Sequence, residues 1–184
     1  MGRLFRLAPL LAAVLPGALG ACAGPATPSE RVAAMYAENW EEQRAAAPPG
    51  GAEALARRRA ERVAAVGEML DAGELASATD RLLAASILKD ADGAADVERA
   101  RDLALALAGE GEDRALPVAA EAIDRVLFLT GRPQKYATQY VFDPLNRQWR
   151  LYDWDPATTD AERRAMGVVT LAEAQRRVEV LNRR

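Results

Sequence analysis

The sequence contains no histidine and a single cysteine, Cys22. The first absence excludes a Ser-His-Asp triad and any zinc site built on imidazole. The second excludes an intrachain disulfide. Aromatic residues are scarce, 5% of 184, so the core must rest on small aliphatic side chains. Forty-one alanines account for much of the 50% hydrophobic content. The length suits one domain of ordinary size and not two large ones. A net charge of −3 at pH 7 argues against nucleic acid as a partner, since phosphate binding needs a basic footprint. No metal-ligand or nucleophile signature is present, and no metal or cofactor is expected.

The N-terminus reads as an address. Arg3 and Arg6 precede an apolar run from Leu7 to Leu19 with Pro16 and Gly17 near its end. Such a run is too short to cross a bilayer, which takes about 20 apolar residues. It closes on Leu19-Gly20-Ala21-Cys22, which resembles the bacterial lipobox. That resemblance implies that residues 1–21 are a signal peptide and that the mature chain begins at Cys22. The thiol then carries diacylglycerol as a thioether and is no longer a nucleophile. Two or more acyl chains anchor stably, where one is marginal. Loss of residues 1–21 removes two arginines and no acid, taking the charge from −3 to −5. The expected location is the bacterial cell envelope, facing the periplasm. Ala23 after Cys22, with no aspartate, favours the outer membrane.

Residues 22–28 are the lipidated cysteine and a tether; at roughly 3.5 Å per residue its span is only about 20 Å. Residues 29–51 form an N-terminal helix and linker. Thr27-Pro28-Ser29-Glu30 has the pattern of a capping box with proline at the first helical position. The helix runs from Ser29 to about Ala46, carries Val32, Met35, Tyr36 and Trp40, and stops at Pro48-Pro49-Gly50-Gly51. Residues 52–184 form the main helical domain. Helices are predicted over Ala52–Asp71, Thr79–Lys89, Ala95–Ala108 and Leu116–Leu129, each bounded by glycine or capping residues. The last two, joined by a short polar loop, should pack antiparallel, their alanines permitting close approach. Arg57, Arg58, Arg59 and Arg62 form a basic face on the second helix, which suits a phosphate or lipid-headgroup patch but reads better as a solvated face balanced by Glu53, Glu61 and Glu68.

Composition changes at Phe128, and the stretch from Phe128 to Trp154 holds seven of the ten aromatics. Tyr136 to Phe142 alternates in the β manner, Asp143-Pro144-Leu145-Asn146 is a turn, and Trp149 to Trp154 is the return strand. A lone hairpin is marginal in water, so this one, near 136–154, must lie on the helices. Thr159-Asp160-Ala161-Glu162 and Thr170-Leu171-Ala172-Glu173 cap two further helices. The fold class is therefore mainly α: stacked antiparallel helices, a helical-hairpin array, with one C-terminal β-hairpin packed on them. Ala78–Leu83 is echoed faintly by Ala122–Leu127, as a helical-hairpin repeat would be, though six residues in an alanine-rich chain also recur by chance.

The stretch Asp124-Arg125-Val126-Leu127-Phe128-Leu129-Thr130-Gly131-Arg132-Pro133-Gln134-Lys135-Tyr136-Ala137-Thr138-Gln139 resembles an uncharacterised bacterial family marked by D-R-x-L-x-x-x-G-[KR]-P-Q-x-[YF]-G-T-Q. The resemblance covers roughly residues 80 to 180 and includes Thr159-Asp160-Ala161-Glu162-Arg163-Arg164. It implies alanine-rich stacked helices followed by a strand pair; it implies no reaction. Two departures stand out: Ala137 replaces the family's glycine, and Leu88-Lys89 replaces its Gln-His. The first leaves any need for positive φ absent or strained. The second removes a potential chemical group and moves the reading from catalysis toward binding.

Read from the residues, Asp124 lies at the edge of the stripe formed by Leu116, Ala120, Ile123 and Leu127, near a helix end, and must find donors. Asp124, Arg125, Gln134, Tyr136, Thr138 and Gln139 are the candidate ligand-binding residues. They equally suit a structural network that fixes the hairpin to the helix, because buried polar groups must be paired. Asp90-x-Asp92-Gly93-x-x-Asp96-x-Glu98 only faintly suggests a calcium loop, its glycine being misplaced. Trp149, Tyr152 and Trp154 are candidates for stacking on a sugar or for packing on helices. Asp153 and Asp155 share a face as a potential acid pair or as a solvated strand end. Three functions are open at this level. The favoured one is a lipid-anchored envelope protein that binds a protein or small ligand. The others are an envelope hydrolase working through Asp124, and a purely structural lipoprotein.

Overall fold

The structure is a computed structural model that describes residues 25–44 and 50–183. The signal segment, the lipobox with Cys22, and the Pro48-Pro49 stop lie outside the described residues.

Among the described residues the chain is mainly helical. In order it forms α1 (Pro28–Arg44), α2 (Gly51–Asp71), α3 (Ala78–Leu88), α4 (Ala94–Gly109), α5 (Ala115–Leu129), β1 (Tyr140–Asp143), β2 (Gln148–Leu151), α6 (Asp160–Ala165) and α7 (Leu171–Leu181). The helix starts follow local chemistry. Thr27 Oγ1 accepts the Glu30 N–H while Glu30 Oε2 accepts the Thr27 N–H at 2.8 Å, so Pro28 takes the first helical position. Ser77 Oγ accepts the Asp80 N–H at the head of α3. Thr159 with Glu162 and Thr170 with Glu173 form complete capping boxes on α6 and α7. Each such cap is worth roughly 1 kcal/mol.

Helix α3 is the hub, touching α1, α2, α4 and α5. It buries nearly every position after its first turn, from Leu82 to Leu88, with Leu83 alone partly exposed. Val97 and Ala100 in the first half of α4 share a core cluster with Ala122 at the middle of α5 and with Val126 and Leu129 beyond it. Ala104 and Leu107 at the end of α4 meet Ala115 and Ala119 at the start of α5. The pair is thus antiparallel, as the short loop predicts. Its contact face is largely alanine, which carries no side-chain entropy cost but leaves little tolerance for added volume. Helix α1 belongs to the same core, since Val32 packs with Val63, Val66 and Met69 of α2.

The hairpin pairs antiparallel, with Tyr140 opposite Leu151 and Phe142 opposite Trp149. It lies on α7, where Leu151, Ala137 and Ala174 form a third cluster with Leu171 and Val178 around them. Asn182 completes the seam. Its Oδ1 accepts the Trp149 N–H at 2.6 Å, and its Nδ2 donates to the Trp149 carbonyl at 2.9 Å. The side-chain amide thereby pairs like a neighbouring strand.

The strands are shorter than the alternation predicts. Residues 136–139 are not strand, because their amides are claimed elsewhere: the N–H groups of Tyr136 and Thr138 by Asp124, and that of Gln139 by the Gln134 side chain. The return strand ends at Leu151, beyond which Gln134 bridges to Trp154. No helix among the described residues is long and apolar enough to cross a membrane.

Candidate functional site

Helix α5 is closed by Gly131 at φ 69°, a left-handed position, with the Arg132 N–H donating to the Leu127 carbonyl at 2.8 Å. This reverses the chain against the helix it has just left. The returning loop then wraps the Asp124 carboxylate, which is fully buried. Lys135 N–H donates at 2.7 Å, Tyr136 N–H at 3.0 Å to both oxygens, and Thr138 N–H at 3.1 Å. The Thr138 hydroxyl adds a bond at 2.9 Å. Burial pushes the Asp124 carboxyl above its usual range, and these four donors pull against it. Ala137 lets the loop present three amides to one carboxylate: it sits at φ 61° and is 1% exposed. An L-residue there costs roughly 1–2 kcal/mol. Ala137 is therefore strained.

Gln134 is equally committed. Its Nε2 donates to the carbonyls of Gln139 and Tyr152, and its Oε1 accepts the Gln139 N–H at 2.7 Å. Arg163, 2% exposed, reaches across from α6 to the Lys135 carbonyl at 3.2 Å. Asp124 and Gln134 thus have no free face for a ligand, and a substrate has no path to the Asp124 carboxylate. Tyr136 lies half-buried on the loop; burial, then the Asp124 and Glu162 charges, raise its hydroxyl pKa.

Arg125, one residue on, turns away from Asp124. Its Nη2 lies 3.4 Å from the Ala91 carbonyl and 3.7 Å from Asp92 Oδ1, and its guanidinium stands 5.4 Å from the Phe128 ring centroid. Arg125, Thr138 and Gln139 line a cleft that Asp124, Gln134 and Tyr136 do not line. Of the six predicted residues, three therefore meet at a concave surface and the other three form or flank the loop behind it.

The cleft has a volume of about 770 Å³. One wall is α1, with Tyr36, Asn39, Trp40 and Gln43; the floor comes from Ser86, Lys89 and Asp90 at the end of α3 and from Val118 and Glu121 of α5. The opposite wall is Tyr140, Trp149 and the α7 residue Arg177. Lys89 lies between Asp90 Oδ1 and Glu121 Oε2, at 2.9 Å from each. Burial alone would lower its pKa, but the two carboxylates overcome this and hold it above the usual lysine range. The other oxygen of Asp90 accepts from Asn39 Nδ2 at 2.8 Å and from Gln43 Nε2 at 2.5 Å. Arg177 stacks over the Tyr140 ring at 5.7 Å.

The remaining sequence candidates disperse. Asp90 and Asp92 face cations and amides rather than each other, and the described residues contain no group of three or more metal-ligating side chains. Trp149 reaches the cleft, Tyr152 packs edge-on against Phe128 at 4.9 Å, and Trp154 joins the hairpin cluster. Asp153 pairs with Arg150, and Asp155 caps the Ala157 N–H. On the basic face of α2, Arg57 pairs with Glu61, Arg58 and Arg62 with Glu42, and Arg59 with Asp92.

Sequence reasoning passed over Lys89, Tyr36, Asn39, Trp40 and Arg177 as cleft residues. Lys89 carried a signal, being one of two lysines in a chain whose other cations are arginine, placed at the end of the apolar run Leu82–Leu88. The α1 and α7 residues carried none, because only tertiary packing brings them together. Comparison of the chain with protein families, curated proteins and solved structures gives no match.

Proposed function

We propose that this chain is a lipid-anchored protein of the bacterial cell envelope. In this reading it is held at the periplasmic face of the outer membrane by Cys22 and binds a small ligand or a partner segment in the α1–α3–α5–α7 cleft. The observation that carries the binding half is the cleft itself. Its volume of about 770 Å³ falls in the range of small-ligand sites, about 300–1,000 Å³. Its walls pair exposed aromatic faces with amides and guanidinium groups, the mixture that gives both contact area and orientation. The anchor half rests on the Leu19-Gly20-Ala21-Cys22 pattern and the apolar run before it.

The hydrolase alternative has no comparable support. It needs a carboxylate that touches substrate, and Asp124 is fully buried with its oxygens occupied.

Two measurements test the proposal. Mass spectrometry of the mature N-terminal peptide should find Cys22 acylated, and a free thiol on a chain that retains residues 1–21 would refute the anchor. Native mass spectrometry of the extracted protein should show a co-purifying mass that Val118→Trp, which fills the cleft, removes. An identical bound mass in both proteins would refute the cleft.

A further inference from the structure

We infer that the cleft takes an amphipathic anion, its phosphate or carboxylate seated on Arg59 and Arg125 and its apolar or aromatic body against Trp40 and Trp149. This inference rests on the cleft being the binding surface and names what that surface selects.

The charge arrangement is the first support. Arg59 Nη1 and Arg125 Nη2 both approach Asp92 Oδ1, at 3.5 and 3.7 Å. Two guanidinium groups therefore share one carboxylate oxygen, and the further acid that Arg125 feels, Asp90, is itself committed to Lys89, Asn39 and Gln43. Burial lowers the Arg125 pKa, Asp92 and Asp90 oppose it, and the Arg59 charge adds to the lowering, so the two arginines repel each other across Asp92. An anion between them relieves that repulsion, and guanidinium forks match the oxygens of phosphate and carboxylate. Asp92, its side chain 68% exposed, is the one acid at this position and can swing out to solvent as an anion enters; the acids that line the cleft are committed elsewhere. Asp90 and Glu121 are both bound to Lys89, and Asp90 also accepts from Asn39 and Gln43. The unspent charge of the cleft is thus positive, on a chain whose net charge is −3. A local field of that sign on an acidic protein concentrates anions at the cleft.

The aromatic walls are the second support. Trp40 is 47% and Trp149 38% exposed, although both line the same concavity. Arg44 stands over the Trp40 ring and Phe142 packs edge-on to Trp149, each at 5.5 Å, and the indole area still exposed in this concavity marks a place where apolar area is to be covered. A bare inorganic anion would leave them wet, and a neutral aromatic would leave the arginine pair uncompensated. An anion with an apolar body meets both demands.

The test uses the full lipidated chain in non-ionic detergent and isothermal titration calorimetry with two probes of one ring system, 1-naphthyl phosphate and the uncharged 1-naphthyl glucoside. The phosphate should bind at least tenfold tighter. Arg59→Gln and Arg125→Gln should each weaken it about tenfold, one charge-assisted contact's worth, and leave the glucoside unchanged. Arg59 is partly exposed, where Arg125 is packed over Phe128 and against the Ala91 carbonyl, so its variant keeps the test open if Arg125→Gln folds poorly. Equal binding of the two probes, lost together in Val118→Trp, would overturn the anion selection while leaving the cleft as a binding surface. Binding of neither probe would overturn both. Competition arms with inorganic phosphate and with phosphatidylglycerol dissolved in the same detergent micelles separate a soluble anion from a lipid headgroup. Displacement by either upholds the inference, and displacement by neither overturns it.

Discussion

Replacing Asp124 by Asn keeps the shape of the side chain and changes only what its two terminal atoms can accept. In the native loop Oδ1 receives the Lys135 N–H, Oδ2 receives the Thr138 N–H and hydroxyl, and the Tyr136 N–H is shared between them. Asparagine offers one carbonyl and one NH2. With the carbonyl on the Oδ2 side, the Lys135 N–H faces a donor; with it on the Oδ1 side, the Thr138 N–H does. The Thr138 hydroxyl can turn to accept, but a backbone amide cannot. Either rotamer orphans at least one buried N–H, at roughly 1–3 kcal/mol. Part of that is offset because a neutral amide is less costly to bury than the carboxylate whose pKa burial raises. The net expectation is a destabilisation of about 1–2 kcal/mol, or a Tm lower by about 3–6 °C for a domain of this size. Urea unfolding at pH 7 should show a lower midpoint with unchanged slope. Hydrogen exchange should accelerate at Lys135, Tyr136 and Thr138 before it does in α3. Binding of 1-naphthyl phosphate should persist. An unchanged midpoint with lost binding would refute the structural assignment of Asp124 and return it to the site.

Other outcomes follow from the same geometry. Ala137→Gly should leave stability within about 1 kcal/mol of the native protein, because relief of left-handed strain is offset by a lost buried methyl and a freer unfolded chain. Ala137→Val, with a branched Cβ at φ 61°, should cost more than about 2 kcal/mol in the same urea assay. Gln134→Leu should cost about 2–4 kcal/mol, since it orphans the Gln139 N–H and the Tyr152 carbonyl at the hairpin base, while the Gln139 carbonyl keeps the Tyr152 N–H; exchange rates in β1 and β2 would report it. Glu42 supplies a pH dependence. Burial raises its pKa, but Arg62 and Arg58 outweigh burial and hold it below the ordinary 4.5. The unfolded chain therefore takes up this proton more readily, and the associated stability is present above pH 4.5 and lost as pH falls below it. Glu42→Gln should be destabilised by about 1–2 kcal/mol at pH 7 and by less at pH 3; a difference that grows toward acid would contradict the assignment.

What the sequence made legible was local. Thr27, Ser77, Thr159 and Thr170 announce helix starts because a cap is a bond between residues three apart, and glycines such as Gly131 announce the stops. The antiparallel α4–α5 pair followed from a short loop and an alanine-rich face. The hairpin was legible in existence but not in length. Period-two alternation over Tyr136–Phe142 reads as strand, yet a buried carboxylate on α5 needs donors more than the sheet needs two further rungs. Asp124, a carboxylate beside an apolar stripe, must find partners, and those partners are mostly backbone amides, which no residue identity advertises. Tyr36 and Trp40 approach Trp149 and Arg177 across more than a hundred residues of chain, and no spacing encodes that approach.

The most direct test of the cleft as the binding surface uses the three tryptophans as internal reporters. Trp40 and Trp149 line the cleft, and Trp154 packs in the hairpin cluster. In 1H–15N spectra of the protein titrated with 1-naphthyl phosphate, the indole N–H signals of Trp40 and Trp149 should shift with one shared saturation curve while that of Trp154 stays in place. Movement of Trp154 alone, or of none of the three, would contradict the account.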